Sequence, residues 1–298
     1  MNEINSVIVL SIYFGNRAIV PYSYPFDGDD TLYVIYDALN HYRHFNFGVP
    51  CDIVVINHDI TTFPDFKNCI SEERQKFYVK SKQLLDMFNG EKLLHGGWVI
   101  KIMHRDWNNG NGMAMASFQF VYNENKYKYK YWFYNSDDTK IMKENCFKDM
   151  IDKLNSDDKI GFVSIYQTAG IGVTSSFYLD KLYDSLKDMS FITEISKEFQ
   201  IKFLNKIVKL SDEYVEQYVK RYKLENYVIQ WDWNGFFNNI GYSVIAGAQD
   251  MRGDYLHRYG KDQNYTAKFP KIIINEKDEP IIIYPDGNQE KIDKWINE

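Results

Sequence analysis

The sequence has few cysteines and none of the cysteine spacings that mark a disulfide framework or a zinc ribbon. Its three cysteines, Cys51, Cys69 and Cys146, are far apart and form no Cys-x-x-Cys pair. Small secreted domains that depend on disulfides use many closely spaced cysteines. A disulfide-stapled fold is therefore excluded, and we expect the chain to fold in a reducing compartment, the cytoplasm.

Long apolar runs and a surplus of basic charge are also missing. No apolar run approaches the length that spans a bilayer, and the first residues, MNEINSVIVLSIYFG, lack the basic region and cleavage site of a signal peptide. Acidic residues outnumber basic ones by 41 to 35, for a net charge of −6. We expect no transmembrane segment and no nucleic-acid partner, while peripheral contact with a membrane stays open.

Aromatic residues are abundant, with 24 Tyr, 20 Phe and 6 Trp in 298 residues. Together with 45% hydrophobic and 26% charged residues, they indicate a globular chain long enough for a large core. Aromatic rings stack well on sugars, and Trp107, Trp231 and Trp233 are candidates for that role. For most of the other aromatic residues we favour a different explanation: an AT-rich genome encodes chains rich in Tyr, Lys, Asn and Ile.

Strand and helix periodicities alternate over the first half of the chain. This order is typical of an open, mixed and mostly parallel α/β sheet with helices on both faces. Helical spacing dominates residues 180–225, and two short strands are expected near the C-terminus. The predicted strands are 6–14, 52–57, 98–103, 126–134, 160–166, 271–274 and 280–284, and the earlier predicted helices are 31–47, 71–88, 113–122 and 144–154.

Polar residues follow each of the first four predicted strands. In open α/β sheets, ligands bind beyond the carboxyl ends of the strands, so these residues are expected to converge at one edge. Candidate ligand contacts there are Ser11 and Tyr13 towards the end of the first strand, Asn57 and Asp59 at the end of the second, and Arg105 after the third.

The segment Asn135-Ser136-Asp137-Asp138 ends the fourth predicted strand. Adjacent carboxylates at such a place suit a hard divalent cation, Mg²⁺ or Mn²⁺. The alternative is an acidic turn that caps the following segment. The same four letters recur at 155–158 after a helix, where we predict a plain turn.

A glycine-rich loop, 108–112, precedes a predicted helix. Glycines let the backbone approach a ligand closely, and Asn109 at a helix start is a candidate anion contact. The alternative is a tight connection between a strand and a helix.

Taken in order, these segments resemble the glycosyltransferases of the GT-A fold, and among them the inverting family-2 group that includes rhamnosyltransferase-like enzymes. The resemblance covers roughly residues 5–260 and is carried by SVIVLSIYFGN, DIVVINHD, HRDWNNGNGMAMA, YWFYNSDDTKI, IGVTSSFYLDKLYDSL and WDWNGFFNNIGY. It implies a domain at 1–260, with a nucleotide-sugar half at 1–140 and an acceptor half at 141–260. Residues 261–298 would then be an extension, expected to form a β-hairpin.

The resemblance also implies roles for individual residues. Asp137 and Asp138 would bind Mn²⁺ or Mg²⁺ with His257, although Asn135 stands where the family's metal motif has its first Asp. Asp232 would be the catalytic base, with a surface Asp at a helix start as the alternative; for His257 the alternative is a packed or solvated side chain. The implied nucleotide contacts are Ser11, Tyr13, Asn57, Asp59, Arg105, Asn109 and Lys261.

The implied reaction moves a sugar from a UDP-, GDP- or dTDP-linked donor to a glycan hydroxyl. The spacing from His257 to Gly260 is also similar to that of retaining enzymes, so the stereochemistry stays open. Two alternatives remain beside it: a sugar-phosphate nucleotidylyltransferase, and a catalytically inactive module that binds a glycan or a protein partner.

Overall fold

The protein is described here from a computed structural model. Its described residues are 5–12, 29–62, 67, 72–95, 99–106, 114–125, 127–136, 139–165, 171–187, 237, 240–247, 252–254 and 270–292.

Strands and helices alternate as the sequence predicts. The strands are β1 (Ser6–Ile12), β2 (Cys51–Asp59), β3 (Ile100–Asp106), β4 (Tyr131–Ser136), β5 (Thr139–Ile141), β6 (Ile160–Ser164), β7 (Gly172–Ser175), β8 (Ser243–Ala246), β9 (Arg252–Asp254), β10 (Lys271–Ile274), β11 (Pro280–Ile283) and β12 (Gln289–Lys291). The helices are α1 (Asp29–His44), α2 (Glu72–Asp86), α3 (Ala114–Asn125), α4 (Cys146–Leu154) and α5 (Ser176–Lys187).

Within the described residues, seven strands form the main sheet in the order β3-β2-β1-β4-β7-β6-β8. Strands β1 to β4 are parallel to their neighbours among themselves, and β6 is parallel to β8, whereas β7 is antiparallel to both β4 and β6. The predicted open, mixed and mostly parallel α/β sheet is therefore confirmed. The four strands predicted to carry the site share this one sheet.

Helices cover both faces of the sheet, because alternate residues of each strand point to opposite sides. On one face, Phe147 of α4 packs on Phe133, with 5.2 Å between ring centroids. On the other, Phe118 of α3 packs edge-on against Trp132, whose ring nitrogen donates to Ser176 of α5. Helices α1 and α2 lie on the same face as α4, because Tyr42 bonds to Asn135 and Asp86 bonds to His104 there. Every residue of β1 is buried as a result.

The amino ends of β2, β3 and β4 meet at a buried carboxylate, Asp52, which is 0% exposed. It accepts hydrogen bonds from the ammonium of Lys128 at 2.7 Å, from the hydroxyl of Tyr129 and from the backbone N–H of Val99 at 3.4 Å. Burial and the bond to Asp52 raise the pKa of Tyr129, so its hydroxyl stays a donor. The polar groups at this amino edge therefore satisfy one another.

This carboxylate explains why the predicted strand 126–134 begins later than expected, at Tyr131. Neighbouring residues of a strand point to opposite faces, yet Lys128 and Tyr129 both bind Asp52. The chain must turn to bring both there. The alternating Lys and Tyr residues therefore mark a turn followed by a strand.

Strand β7 has no counterpart among the predicted strands, and α5 begins at Ser176, before the predicted start of the helical region. A side chain on Gly172 would put its Cβ 2.2 Å from the carbonyl oxygen of Val163 and 2.5 Å from the ring of Phe162. Glycine is therefore required where β7 enters between β4 and β6. A strand of four residues behind a glycine gives little periodic signal in the sequence.

The last described residues form a small antiparallel sheet, β10-β11-β12, whose strand β10 packs on α1. Ile272 and Ile282 lie opposite each other and are both buried. The two predicted strands are present, and a third follows the turn at Gly287, whose φ of 87° favours glycine. The predicted domain boundaries at 140 and 260 stay predictions.

Candidate functional site

The carboxyl ends of β3, β2, β1 and β4 lie side by side along one edge of the main sheet, called the carboxyl edge below. The backbone register pairs Ile12 with Asn57 and Asn57 with His104, and it pairs Ser11 with Ser136. The ends of these four strands therefore lie at one edge, and the roles of their polar side chains stay predictions.

Ser11 lies near the middle of this edge, at the end of β1. Its side chain is completely buried, and its hydroxyl oxygen makes no hydrogen bond within the described part of the chain. Leaving a buried hydroxyl without a partner destabilises a fold by about 1–3 kcal/mol. Such groups are uncommon away from functional sites.

Asp59, at the end of β2, is held in place by two other residues. It accepts a hydrogen bond from the ammonium of Lys82 in α2 at 2.6 Å, and from the backbone N–H and hydroxyl of Thr61 at 3.0 and 2.6 Å. Burial alone would raise the pKa of Asp59, but these bonds and the charge of Lys82 hold it below its ordinary value. Asp59 is thus a fixed, ionised carboxylate.

Asn57 is linked to α2 through a histidine. Its side-chain nitrogen lies 3.1 Å from Nδ1 of His104, whose Nε2 lies 2.7 Å from a carboxylate oxygen of Asp86. A carboxylate accepts, so Nε2 carries a proton; in the neutral ring Nδ1 then accepts from the Asn57 amide. This chain of bonds fixes the orientation of the amide at the carboxyl edge.

Arg105 lies on the opposite face of the sheet from Asn57, since it follows His104 in β3. It is 6% exposed, and its guanidinium carbon lies 5.9 Å from the centre of the Phe120 ring in α3. Arginine keeps its charge when buried. It therefore supplies fixed positive charge close to the carboxyl edge.

Tyr42 of α1 bonds to Asn135, the first residue of the acidic segment 135–138, and to Thr139, the residue that follows it. The completely buried side-chain amide of Asn135 donates to the carbonyl oxygen of Thr139 at 3.0 Å and to the hydroxyl of Tyr42 at 3.1 Å. The same hydroxyl donates to the Thr139 carbonyl at 3.3 Å and accepts from the N–H of Ile141 at 2.9 Å. The two described residues Asn135 and Thr139, on either side of 136–138, are therefore both fixed by bonds to Tyr42.

These contacts require an amide rather than a carboxylate at position 135. A carbonyl oxygen can only accept, so the group 3.0 Å from the Thr139 carbonyl must be a donor. A carboxylate would set two acceptors against each other in a buried place. Asn135 therefore anchors the acidic segment, and its Oδ1 has no partner within the described residues.

A two-stranded ribbon brings a distant part of the chain to this segment. Strand β5 pairs with β9 in antiparallel register, and Thr139 lies opposite Asp254. Thr139 directly follows Asp138, and Asp254 precedes His257 by three residues. The two sequence segments predicted to bind the metal are thus joined at their described ends.

The second Asn-Ser-Asp-Asp segment, 155–158, is a plain turn, as predicted. Asn155 caps the end of α4, with its backbone N–H bonded to the carbonyl of Ile151 at 3.0 Å. A carboxylate oxygen of Asp157 accepts from the N–H of Lys159 at 2.9 Å. All four residues are exposed and lead into β6 at the amino edge of the sheet.

Several predicted site residues lie outside the described residues, and their roles stay predictions. They are Tyr13, Asn109, Asp137, Asp138, Asp232, His257 and Lys261, with Trp107, Trp231 and Trp233.

Two residues that contact the carboxyl edge, Tyr42 and Lys82, are not among the predicted site residues. In the sequence, Tyr42 is one of the apolar residues at helical spacing in the predicted helix 31–47. A tyrosine at a fully buried helix position needs a partner for its hydroxyl, and that rule was the available signal. The sequence gives no comparable signal for Lys82, because a lysine that binds Asp59 cannot be told from an ordinary surface lysine of a helix.

Among the described residues, no group of three His, Cys, Asp or Glu side chains is placed to hold a metal ion. The predicted metal ligands are not among these residues. None of the described helices combines the length and the apolar character needed to cross a membrane. Cys51 and Cys146 are buried free thiols, and burial raises the pKa of both.

No family model matches the sequence. A search of curated proteins also finds no match.

Solved structures give weak similarities. A 4-diphosphocytidyl-2C-methyl-D-erythritol synthase from Anaerococcus prevotii is 11% identical, over 84% of this chain and 89% of that one, with a TM-score of 0.38. A cytidylyltransferase from Leptospira borgpetersenii is 11% identical, over 76% and 98%, with a TM-score of 0.34. The glycosyltransferase GlyE of Streptococcus pneumoniae is 12% identical, over 82% and 45%, with a TM-score of 0.32. At these values the similarities identify no family.

Proposed function

We propose that this protein is a metal-dependent glycosyltransferase that moves a sugar from a nucleotide-diphosphate sugar to an acceptor hydroxyl. One observation supports it most directly: the register that lines up Ser11, Asn57 and the start of the acidic segment along the carboxyl edge. In open α/β sheets this edge is where nucleotide ligands bind.

The nucleoside of the donor would bind at the ends of β1 and β2. Asn57 offers an oriented amide, and Asp59 offers a fixed carboxylate for hydrogen bonds to the base and ribose. Tyr13 would stack on the base. The buried hydroxyl of Ser11 has hydrogen-bonding capacity to spare for such a ligand.

The diphosphate would lie between Arg105, Lys261 and the acidic segment. The carboxylates of Asp137 and Asp138, with the imidazole of His257, are the oxygen and nitrogen donors that Mn²⁺ accepts. The side-chain carbonyl oxygen of buried Asn135, which has no hydrogen-bond partner within the described part of the chain, is a hard donor of the same kind. A bound Mn²⁺ or Mg²⁺ would supply positive charge against the departing diphosphate.

In the transfer step, the acceptor oxygen forms a bond to the anomeric carbon while the bond from that carbon to the diphosphate oxygen breaks. Asp232 would take the acceptor proton, and the bonding electrons leave with the nucleoside diphosphate. Attack opposite the leaving group inverts the anomeric configuration.

A thermal-shift screen tests this proposal directly. UDP-, GDP- and dTDP-sugars, and CTP, are added with and without Mn²⁺; a ligand that binds the folded state raises its melting temperature. We expect one nucleotide-sugar to stabilise the protein with Mn²⁺ and much less without it. The product assay then follows release of the nucleoside diphosphate.

Two results would contradict the proposal. Release of pyrophosphate from CTP and a sugar phosphate would reassign the site to nucleotidyl transfer. A protein that binds a glycan but no nucleotide under any condition would be an inactive module.

A further inference from the structure

His104, in β3, uses both of its ring nitrogens at the carboxyl edge. Nε2 lies 2.7 Å from a carboxylate oxygen of Asp86, and Nδ1 lies 3.1 Å from the side-chain nitrogen of Asn57. The carboxylate holds a proton on Nε2, so Nδ1 of the neutral ring can only accept a hydrogen bond. The amide of Asn57 therefore turns its NH₂ group, and not its oxygen, towards the histidine.

The carboxylate of Asp86 is kept beside this ring, although its side chain is 50% exposed. Asp86 is the last residue of α2, and a residue just after it bonds to β3. The side-chain oxygen of Asn89 accepts from the backbone N–H of Ile102 at 3.0 Å. The end of α2 is therefore tied to the strand that carries His104.

The oxygen of the Asn57 amide remains for a ligand. Asn57 is 3% exposed and lies opposite Ile12, at the end of β1. Its Oδ1 makes no hydrogen bond within the described part of the chain. An amide so nearly buried discriminates by its orientation, because water does not easily replace a mismatched partner there.

We propose that His104, held by Asp86, is a positioning residue that sets the base specificity of the nucleotide site. The inference rests on the proposed function, since it presumes that the base binds at the ends of β1 and β2. Uracil, thymine and guanine carry a hydrogen on the central ring nitrogen of the Watson–Crick edge and would donate it to Oδ1 of Asn57. The same nitrogen of cytosine and adenine is an acceptor, so these bases are disfavoured. Proteins read unpaired bases by hydrogen bonds to this edge.

The test measures the Kd of the full chain for UDP, CDP, GDP and ADP by isothermal titration calorimetry with Mn²⁺ present. We expect UDP to bind about 10–100-fold more tightly than CDP, the usual discrimination by an amide that reads a base. GDP should bind more tightly than ADP for the same reason.

Asp86→Asn is the variant that tests the histidine. It keeps the shape of the side chain, but an amide can accept from Nε2 or donate to it, so either tautomer of the ring is allowed. Neither orientation of the Asn57 amide is then imposed, and the ratio of the Kd values for CDP and UDP should fall towards 1. Asp152→Asn makes the same change at a carboxylate of α4 that is 60% exposed, and it should leave the ratio unchanged.

Asn57→Asp tests the orientation of the amide directly. A carboxylate presents an acceptor at both ends, so its orientation does not matter. The preference for UDP over CDP should remain in this variant, and adding Asp86→Asn to it should no longer change the ratio. A merely structural role of Asp86 and His104 would not produce this rescue.

The possible outcomes separate this inference from the proposed function. If the unmodified chain binds none of the four nucleotides, both are wrong. If it binds UDP and CDP equally well, or prefers CDP, the inference alone is wrong. An unchanged ratio in Asp86→Asn would also overturn it, whether or not all four nucleotides bind more weakly, because His104 would then not decide the base.

Discussion

The protein contains the segment Asn-Ser-Asp-Asp twice, at opposite edges of one sheet, and the asparagines of the two copies have different surroundings. Asn135 in the first copy is completely buried and bonded to α1 and β5, whereas Asn155 in the second is exposed and caps α4. The first copy follows a buried strand at the carboxyl edge. The second follows a helix and enters β6 at the amino edge.

The difference shows that the position of a motif in the fold decides which groups surround it. At the amino edge, polar groups such as those of Asp52 and Tyr129 bind one another. At the carboxyl edge, the buried Ser11 hydroxyl and the Asn135 carbonyl oxygen have no partner within the described residues. Unpaired buried polar groups are uncommon in native folds, and a ligand bound at this edge would satisfy both of these.

The largest expected effect is on metal-dependent nucleotide-sugar binding, when one aspartate is removed from each copy in turn. Asp137→Ala should abolish the Mn²⁺-dependent thermal shift produced by the nucleotide-sugar, because it removes the proposed metal ligand. Asp157→Ala removes a carboxylate from an exposed turn and should leave that shift unchanged. Equal loss in the two variants would show that the carboxyl edge is not the metal site.

The second prediction concerns Asp232, the proposed catalytic base, which belongs to neither copy of the segment. Asp232→Asn keeps the shape of the side chain but cannot accept a proton, so transfer should fall by roughly 10²–10⁴-fold. Donor affinity should change little, because the base contacts the acceptor. The measurements are a product assay and a donor titration.

Asp152→Asn is the control for that variant, because it makes the same change at an exposed residue of α4. It should leave transfer unchanged. Near-normal turnover in Asp232→Asn would move the role of base to another carboxylate or favour a retaining mechanism. Loss of donor binding together with turnover would instead assign Asp232 to the metal or the diphosphate.

The third prediction compares the two asparagines by stability. Asn135→Ala should lower the free energy of unfolding by about 1–3 kcal/mol, because it leaves the Thr139 carbonyl and Tyr42 hydroxyl short of a buried partner. Asn155→Ala should change it by no more than about 0.5 kcal/mol, as expected for an exposed side chain. Urea denaturation of both variants measures this, and similar values would contradict the assigned difference in burial.

The sequence predicted the strands that carry the site because buried parallel strands are continuous apolar runs. The predicted strands 6–14 and 52–57 are of this kind, and the structure has β1 and β2 there. The carboxyl edge could then be located from the residues after each strand. The plain turn at 155–158 was predicted in the same way, because it follows a helix.

Contacts between distant residues could not be predicted in this way. The bonds from Tyr42 to Asn135 and from Lys82 to Asp59 join a helix to a strand end, and no local pattern encodes them. Strand β7 was missed for a similar reason, since Gly172 is required by contact with Val163 and Phe162 rather than by its neighbours in sequence.

The smallest expected effect concerns the pH dependence of stability at the carboxyl edge. The pKa of Asp59 lies below its ordinary value of 3.8, so the unfolded chain binds a proton there more readily than the folded one. The stabilisation is therefore complete above about pH 4 and is lost as the pH falls through the folded pKa. Because the Lys82 side chain is 34% exposed, solvent screens the pair and the effect should be about 1 kcal/mol.

Urea denaturation of the unmodified chain and Asp59→Asn, from about pH 7 down to about pH 3, measures this contribution. The variant should be less stable near neutral pH, and the difference should shrink as the carboxylate of the unmodified chain becomes protonated. Asp152→Asn removes an exposed carboxylate paired with Lys148 and should follow the unmodified chain throughout. A difference for Asp59→Asn that stays constant down to about pH 3 would mean that its ionisation does not stabilise the fold. In that case the bonds from Thr61 alone would hold Asp59 in place.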